Sequence, residues 1–390
     1  MRGRATAVTC TCLLAAVVLS LAPLGGAGAT SGSPSVDSWG AYFEGSRTTA
    51  PTFSPLAIPL PDTVVQVASS NSTQYALLAD GEVYAWGLGA YGQLGDGGTT
   101  DSPTTPVQVQ FPAGVTISSL PTDAMPFDTG LAVDTEGNAW GWGLNSSGQL
   151  CLGNTTEYTT PVELPLTSVT ALAGAGDHAL FDTNGDVDAC GDNSYGDLGT
   201  GASGASSTPV PVQGLQGVAV TALVASFNDS GALLADGTYE DWGFNGQGQL
   251  GDGNLGQSSD VPVAVSLPDG VTRAVEGGSY SDNGQTLVML SNGALYAWGD
   301  DQYGQLGDGQ TTTEPSPVEF YPPPGVIYVL LATGGTTSYA VSTTAHVFAW
   351  GGGRYGQIGH GRKEAMQFRP LRVETHVSMI SATAYDVVTG

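Results

Sequence analysis

The sequence predicts an all-β fold: a seven-bladed β-propeller of four-stranded antiparallel blades, with the closing blade shared between the N- and C-terminal segments. Three observations carry this. A tryptophan-anchored phrase, WGLGAYGQLGDG from Trp86, recurs along the chain at intervals of about 50 residues, a period that marks stacked supersecondary units. Each recurrence is preceded by short β-rich apolar runs separated by turn dipeptides. Beyond the first thirty or so residues, no long stretch has helical periodicity.

The N-terminus is read separately from the repeats. Arg2 and Arg4 precede an apolar run from Ala5 to Leu21 and a small-residue stretch ending Ala27-Gly28-Ala29, which is the layout of a secretory signal peptide over residues 1–29. The run is short for a membrane span. Cys10 and Cys12 would leave with this segment, so the exported part, residues 30–390, keeps Cys151 and Cys190.

The anchors of the repeat stand at Trp39, Trp86, Trp142, Cys190, Trp242, Trp298 and Trp350, each followed by Gly and by a second Gly six places on. Upstream of each full anchor comes a β-rich segment such as Val64 to Ala68, a variable loop and a second segment such as Tyr75 to Leu78. A turn pair follows: Asp80-Gly81, Glu136-Gly137, Asn184-Gly185, Asp236-Gly237, Asn292-Gly293 or Thr344-Ala345. These read as two-residue hairpins, in which Gly supplies the positive φ. The third segment carries the anchor, and a fourth begins at a proline, as at Pro106, Pro161 and Pro262, which suits an outermost strand. Pro34 to Gly40 aligns with Gly81 to Gly87, whereas Val387 to Gly390 matches the end of a second segment. The two ends are therefore expected to supply two strands each to one composite blade.

Order and spacing of these signals resemble the repeat of the regulator of chromosome condensation family, a seven-bladed propeller. The resemblance covers essentially all of the chain after residue 29, and six or seven copies make it specific. The chain looks like an exported, bacterial-type member. The family's nuclear founding member is a guanine-nucleotide exchange factor, and secreted bacterial propellers of the superfamily include β-lactamase inhibitors; the resemblance implies both as alternatives.

Composition narrows the partners. The formal net charge is −27, and removing residues 1–29 takes away two arginines and no acid. Such a chain repels phosphate backbones and anionic lipid heads, so neither nucleic acid nor membrane insertion is expected as its task. Five of its basic residues, Arg354, Arg362, Lys363, Arg369 and Arg372, fall in the last full repeat. A monomer is expected.

Catalytic chemistry finds no motif. No nucleophile elbow or metalloprotease helix is present, and the four histidines are His178, His346, His360 and His376. His178, in GAGDHAL, is read as structural, because repeats of the resembled family commonly place a His there. Residues 182–188 superficially resemble a calcium loop but lack its Gly and Glu, and in register they form a hairpin. Neither catalysis, metal nor cofactor is expected. Cys151 replaces the last Gly of the repeated G-Q-L-G phrase and Cys190 replaces a Trp; an exported chain could pair them or keep two buried thiols.

Function is expected on one face. The loop joining strands one and two of a meander and the loop joining strands three and four emerge together, opposite the hairpins. Tyr91, Tyr195, Tyr303 and Tyr355 each stand five residues after an anchor, with Phe127, Phe227 and Tyr280 on the other loops. Aromatics on rigid loops suit a protein-binding surface, although the same rings could cover the loop bases. The sequence thus points to a secreted, non-enzymatic scaffold for a protein partner. Inhibition of an extracellular enzyme is one form of that reading.

Overall fold

Short β-rich segments with polar turns can satisfy their backbone groups only by pairing with neighbours, and the chain does so locally. The computed structural model describes residues 34–40, 52–122, 125–279, 283–354, 356–361, 366–375, 377–382 and 386–390. These form seven four-stranded antiparallel sheets. Among them no helix is long and apolar enough to cross a membrane. The signal peptide expected over residues 1–29 lies outside the described residues.

The first blade is typical: Val64–Ser69, Thr73–Leu78, Val83–Gly87 and Ser102–Gln108 pair in sequence order. The second to sixth blades repeat the plan, with first strands Ile117–Ser119, Val169–Ala175, Val220–Ala225, Val271–Ser279 and Tyr328–Thr333. First strands of neighbouring blades touch around the axis, as those of the third to sixth blades do in turn. In the closing blade, Ile380–Ala382 and Asp386–Thr389 meet Ser35–Gly40 and Thr52–Pro59. Trp39 lies opposite Val387 and Ser38 opposite Val388, so the ends are joined by a hydrogen-bonded ladder.

The hairpins differ in one respect from the two-residue turns expected. Only Asn184 and Gly185 both have positive φ, 63° and 101°. Elsewhere a three-residue loop forms, in which Gly81 N–H, for example, donates to Leu78 O at 3.0 Å while Gly81 takes φ 86°. This is a type I turn followed by a left-handed residue, and a second residue with positive φ is then unnecessary. Ala345 holds that place with φ 59° in the sixth blade.

The anchors explain how blades adhere. All six anchor tryptophans are fully buried. Five donate the indole N–H to the backbone oxygen of the preceding blade's G-Q-L-G phrase: Trp142 to Gln93 at 2.9 Å, Trp242 to Asp197 at 2.9 Å, Trp298 to Gln249 at 2.6 Å, Trp350 to Gln305 at 2.8 Å and Trp39 to Gln357 at 2.8 Å. The last Gly of that phrase lies under the indole: a Cβ on Gly95 would stand 2.9 Å from Trp142 Nε1, and one on Gly307 2.6 Å from Trp350 Nε1. Burying an indole of roughly 200 Å² at about 25 cal/mol per Å² is worth on the order of 5 kcal/mol, against about 1 kcal/mol for the hydrogen bond. Packing therefore supplies the adhesion, and the bond sets its register.

Between the second and third blades the same contact is covalent. Cys151, in the glycine place, is bonded to Cys190, in the tryptophan place, with Cα atoms 5.5 Å apart. Cys151 keeps the left-handed φ of 59° that the glycines have.

Two outcomes are expected. Replacing Cys190 alone by Ser should lower stability by about 2–4 kcal/mol in denaturant titration, whereas Cys151→Gly with Cys190→Trp, which rewrites the ordinary contact, should recover most of the loss. Deleting residues 33–60 exposes strand edges and the inter-blade surface next to the first blade; the truncated chain should melt earlier and self-associate, read by calorimetry and size-exclusion chromatography.

Candidate binding face

The loops between third and fourth strands share an internal frame. Three residues after the anchor, the Asn145 side-chain oxygen accepts the Leu150 N–H at 2.9 Å, Asn193 that of Leu198 at 3.0 Å and Asn245 that of Leu250 at 3.2 Å. Asp301 takes this role in the fifth blade, accepting from Leu306 at 2.8 Å, and its second oxygen is buried without a donor. Burial foremost, together with neighbouring acids, pushes its carboxyl up to about 8.

This frame holds the loop aromatics outward. The backbone N–H groups of Tyr91 and Tyr303 donate to the side chains of Gln93 and Gln305, both at 2.9 Å. Tyr91, Tyr195 and Tyr303 are 41%, 39% and 36% exposed, which makes them surface rings rather than plugs beneath the loops. They sit on the first, third and fifth blades, at matching places around the ring. Tyr355 and Tyr280 lie outside the described residues.

Phe127 and Phe227 do come together. Phe127 N–H donates to Gly176 O at 2.6 Å, and its ring, almost wholly buried, lies 5.0 Å from that of Phe227. Both line a cavity of about 40 Å³ at the mouth of the axial channel, along with Ser69, Ala175, Glu276 and Thr333 from the inner strands. Phe127 is thus part of the channel wall, and Phe227 is the ring left half-exposed.

Phe227 also borders a larger cleft of about 250 Å³ where the loops of the third and fourth blades meet. Its other walls are Asp177, His178, Asp192, Ser194, Tyr195 and Asp197, with Asn228. Tyr195 leans on Phe244 of the fourth blade, with centroids 4.8 Å apart and planes at 65°, so the ring is braced while its edge stays open. Asp197 stands where the first, fourth and fifth blades have Gln93, Gln249 and Gln305; its carboxylate accepts the Tyr195 N–H at 3.1 Å. Burial pushes that carboxyl up to about 7, against the opposing pull of the N–H donors. Asp177 is raised above the usual carboxylate range, first by burial and then by Asp192 and Asp128.

His178 closes the floor. Its Nε2 lies 2.8 Å from Ser230 Oγ, and burial holds its pKa down to about 4, so the ring is neutral at pH 7. A fixed, uncharged imidazole bonded across two blades is a wall rather than a proton shuttle. The cleft therefore offers carboxylates beside aromatic rings, which suits a cationic side chain.

Of the aromatics singled out from sequence, the structure sets Phe227 beside Phe127 at the smaller cavity and beside Tyr195 at the larger cleft, and leaves Tyr91 and Tyr303 on separate blades. The acids Asp177, Asp192 and Asp197 were missed. For Asp197 the signal was departure from the repeat, an acid in a Gln place, near His178 where the first, second and sixth blades have Thr73, Thr129 and Thr337; Asp177 and Asp192 stand where Asp128 and Asp300 stand in other blades and carried no such signal.

Comparison with known proteins agrees with this architecture. A model of the regulator of chromosome condensation (RCC1) repeat matches residues 80–120, 136–181 and 292–341, and a second model of that repeat matches residues 64–93. The chain is a seven-bladed propeller carrying RCC1 repeats. It is 30% identical over 291 residues to the ultraviolet-B receptor UVR8 of Arabidopsis thaliana, covering 74% of this chain and 64% of the receptor. It is also 30% identical over 317 residues to the E3 ubiquitin-protein ligase HERC2 of Homo sapiens, covering 79% of this chain and 6% of that ligase. The chain thus spans less than two thirds of the length of either relative. Among solved structures, human WBSCR16 superposes with a TM-score of 0.79 at 22% identity, over 91% of this chain and 99% of that one. Yeast RCC1 (Prp20), bound to Kap60, gives 0.78 at 22% identity, over 92% and 88%. These likenesses show the fold, and the relatives named are eukaryotic.

The loop frame yields a pH prediction. A carboxyl whose folded pKa lies above its unfolded value contributes stability that is fully present below the unfolded value and is lost as pH rises toward the folded one. Asp301→Asn, which writes the residue of three sibling loops, should match wild type near pH 4 and melt at increasingly higher temperature than wild type as pH rises to about 8. Calorimetry across that range checks it.

Proposed function

We propose that the chain is an exported, non-enzymatic scaffold that binds a protein partner through its loop-rich face, with the cleft between the third and fourth blades as the anchoring point. A propeller of RCC1 repeats fits a protein-binding scaffold. The observation that carries the site is the cleft itself, where Tyr195 and Phe227 stand beside the carboxylates of Asp177 and Asp192. Aromatic rings with one open edge, braced from behind, give contact area at low entropic cost, and adjacent carboxylates select an Arg or Lys from the partner. The strongly acidic composition steers a basic partner toward the face.

Export is supported by the layout of residues 1–29 and by the Cys151–Cys190 bond, since disulfides persist in oxidising compartments. Inhibition of an extracellular enzyme is one form of this function, in which the captured cation belongs to the rim of the enzyme's active site.

The test begins with capture of partners from culture supernatant by the exported form, followed by titration calorimetry. Tyr195→Ala with Phe227→Ala should weaken binding by about 2 kcal/mol or more. Asp177→Asn with Asp192→Asn should weaken it and flatten its dependence on salt. A control on the hairpin face, with Glu82, Asp236 and Asn292 all changed to Ala, should leave affinity unchanged. Loss of affinity in that control alone would put the site on the opposite face and overturn the proposal.

A further inference from the structure

The fourth blade departs from the repeat at four buried places, and they converge. Asp241 precedes the anchor where the first, fifth and sixth blades have Ala85, Ala297 and Ala349. Asp229 opens the second strand at the place of Thr73 and Thr337. Tyr239 replaces an aliphatic residue such as Val83, and Gly231 replaces a bulky one such as Tyr75 or Leu287. Opposite them, Glu276 of the fifth blade occupies a position held elsewhere by Ser69, Ala225 or Thr333.

These changes assemble three carboxylates in the interior. Asp229, Asp241 and Glu276 are all buried, and one oxygen from each lies within 4.8 Å of the others. Tyr239 donates its hydroxyl to Glu276, and Ser226 donates to Asp229. Asp241 is fully buried with neither carboxylate oxygen meeting a donor, and Asp229 Oδ2 is in the same state. Gly231 makes the room: a Cβ there would stand 2.2 Å from the Tyr239 hydroxyl and 2.4 Å from Glu276 Oε1. Three crowded interior carboxylates, with both oxygens of Asp241 and one of Asp229 lacking a donor, are costly in ionised form unless a positive charge joins them.

We propose that Asp229, Asp241 and Glu276 form a calcium-binding site between the fourth and fifth blades. The donors are all oxygen, which selects a hard cation and offers nothing to the softer transition metals. Oxygens at most 4.8 Å apart can share a centre no more than about 2.8 Å from each, a spacing that accommodates calcium–oxygen bonds of about 2.3–2.6 Å. The short bonds and exact octahedron of magnesium suit three fixed interior carboxylates less well. Glu276 also lines the channel-mouth cavity, which gives the ion and its remaining water ligands a route from solvent. The ion would clamp one blade to the next, at a joint that already has the Trp298 indole bond to Gln249.

The test uses the full chain freed of divalent ions by chelation and titrated with CaCl₂ by calorimetry, with terbium luminescence as a second probe, since Tyr239 is placed to sensitise a lanthanide. One Ca²⁺ should bind per chain, the melting temperature should rise with free Ca²⁺, and Mg²⁺ should do less. Asp241→Ala restores the residue of the sibling blades and should therefore fold, while weakening Ca²⁺ binding at least about tenfold and abolishing both the melting response and the terbium signal. Glu276→Thr, the residue of the sixth blade, should act alike, and it decides the matter if Asp241→Ala does not fold. Absence of saturable Ca²⁺ binding in the unmodified chain, or undiminished binding in folded variants, overturns the proposal.

Discussion

The ring depends on one contact, the seat of an indole over a glycine of the preceding blade. The glycine must take positive φ and must also lack a Cβ, because the tryptophan Nε1 occupies that space in five joints. The indole then reaches the backbone oxygen two residues before the glycine, so packing and register are set by a single side chain. At the joint of the second and third blades a disulfide occupies the place of both partners. That substitution requires two coordinated changes, one at each end of the contact, and it makes this joint dependent on an oxidising surrounding.

A frame repeated so regularly leaves function to its exceptions. The Asn or Asp that accepts a Leu N–H inside four of the long loops and the Gln that supports the Tyr backbone are scaffolding, and they recur. The acidic cleft lies where the third blade writes His178 and Asp197 against the pattern. The buried carboxylates lie where the fourth blade writes Asp229, Gly231, Tyr239 and Asp241 against it. In both places apolar or neutral residues would pack at lower cost, so the residues present reflect a demand other than ring closure.

The acidity of the chain has two faces. At the surface it sets a long-range field that favours basic partners and disfavours polyanions. In the interior it creates carboxyls held well above their usual pKa range by burial, Asp197 and Asp301 among the described residues. Interior acids of this kind tie stability to pH in the direction opposite to that of salt-bridged surface carboxylates, because the protonated form is the one that folding favours.

Much of the architecture was legible in the chain itself. The anchors from Trp39 to Trp350 gave seven blades, and the alignment of Pro34 to Gly40 with Gly81 to Gly87 located the shared closing blade, because a repeated local pattern must be repeated packing. The burial of the tryptophans followed from their places in the repeat, whereas the same places left open whether Tyr91, Tyr195 and Tyr303 face outward or cover the loop bases, and the structure turns them outward. Only the tertiary structure decided what crosses between blades. It paired Cys151 with Cys190, moved Phe127 into the channel wall and gathered Asp177, Asp192 and Tyr195 of one blade with Phe227 of the next. It also brought Glu276 to Asp229 and Asp241 across a joint. Sequence periodicity specifies a residue's place within its own blade, whereas a site between blades depends on the rotation from one sheet to the next, and the coordinates of the closed ring carry that information.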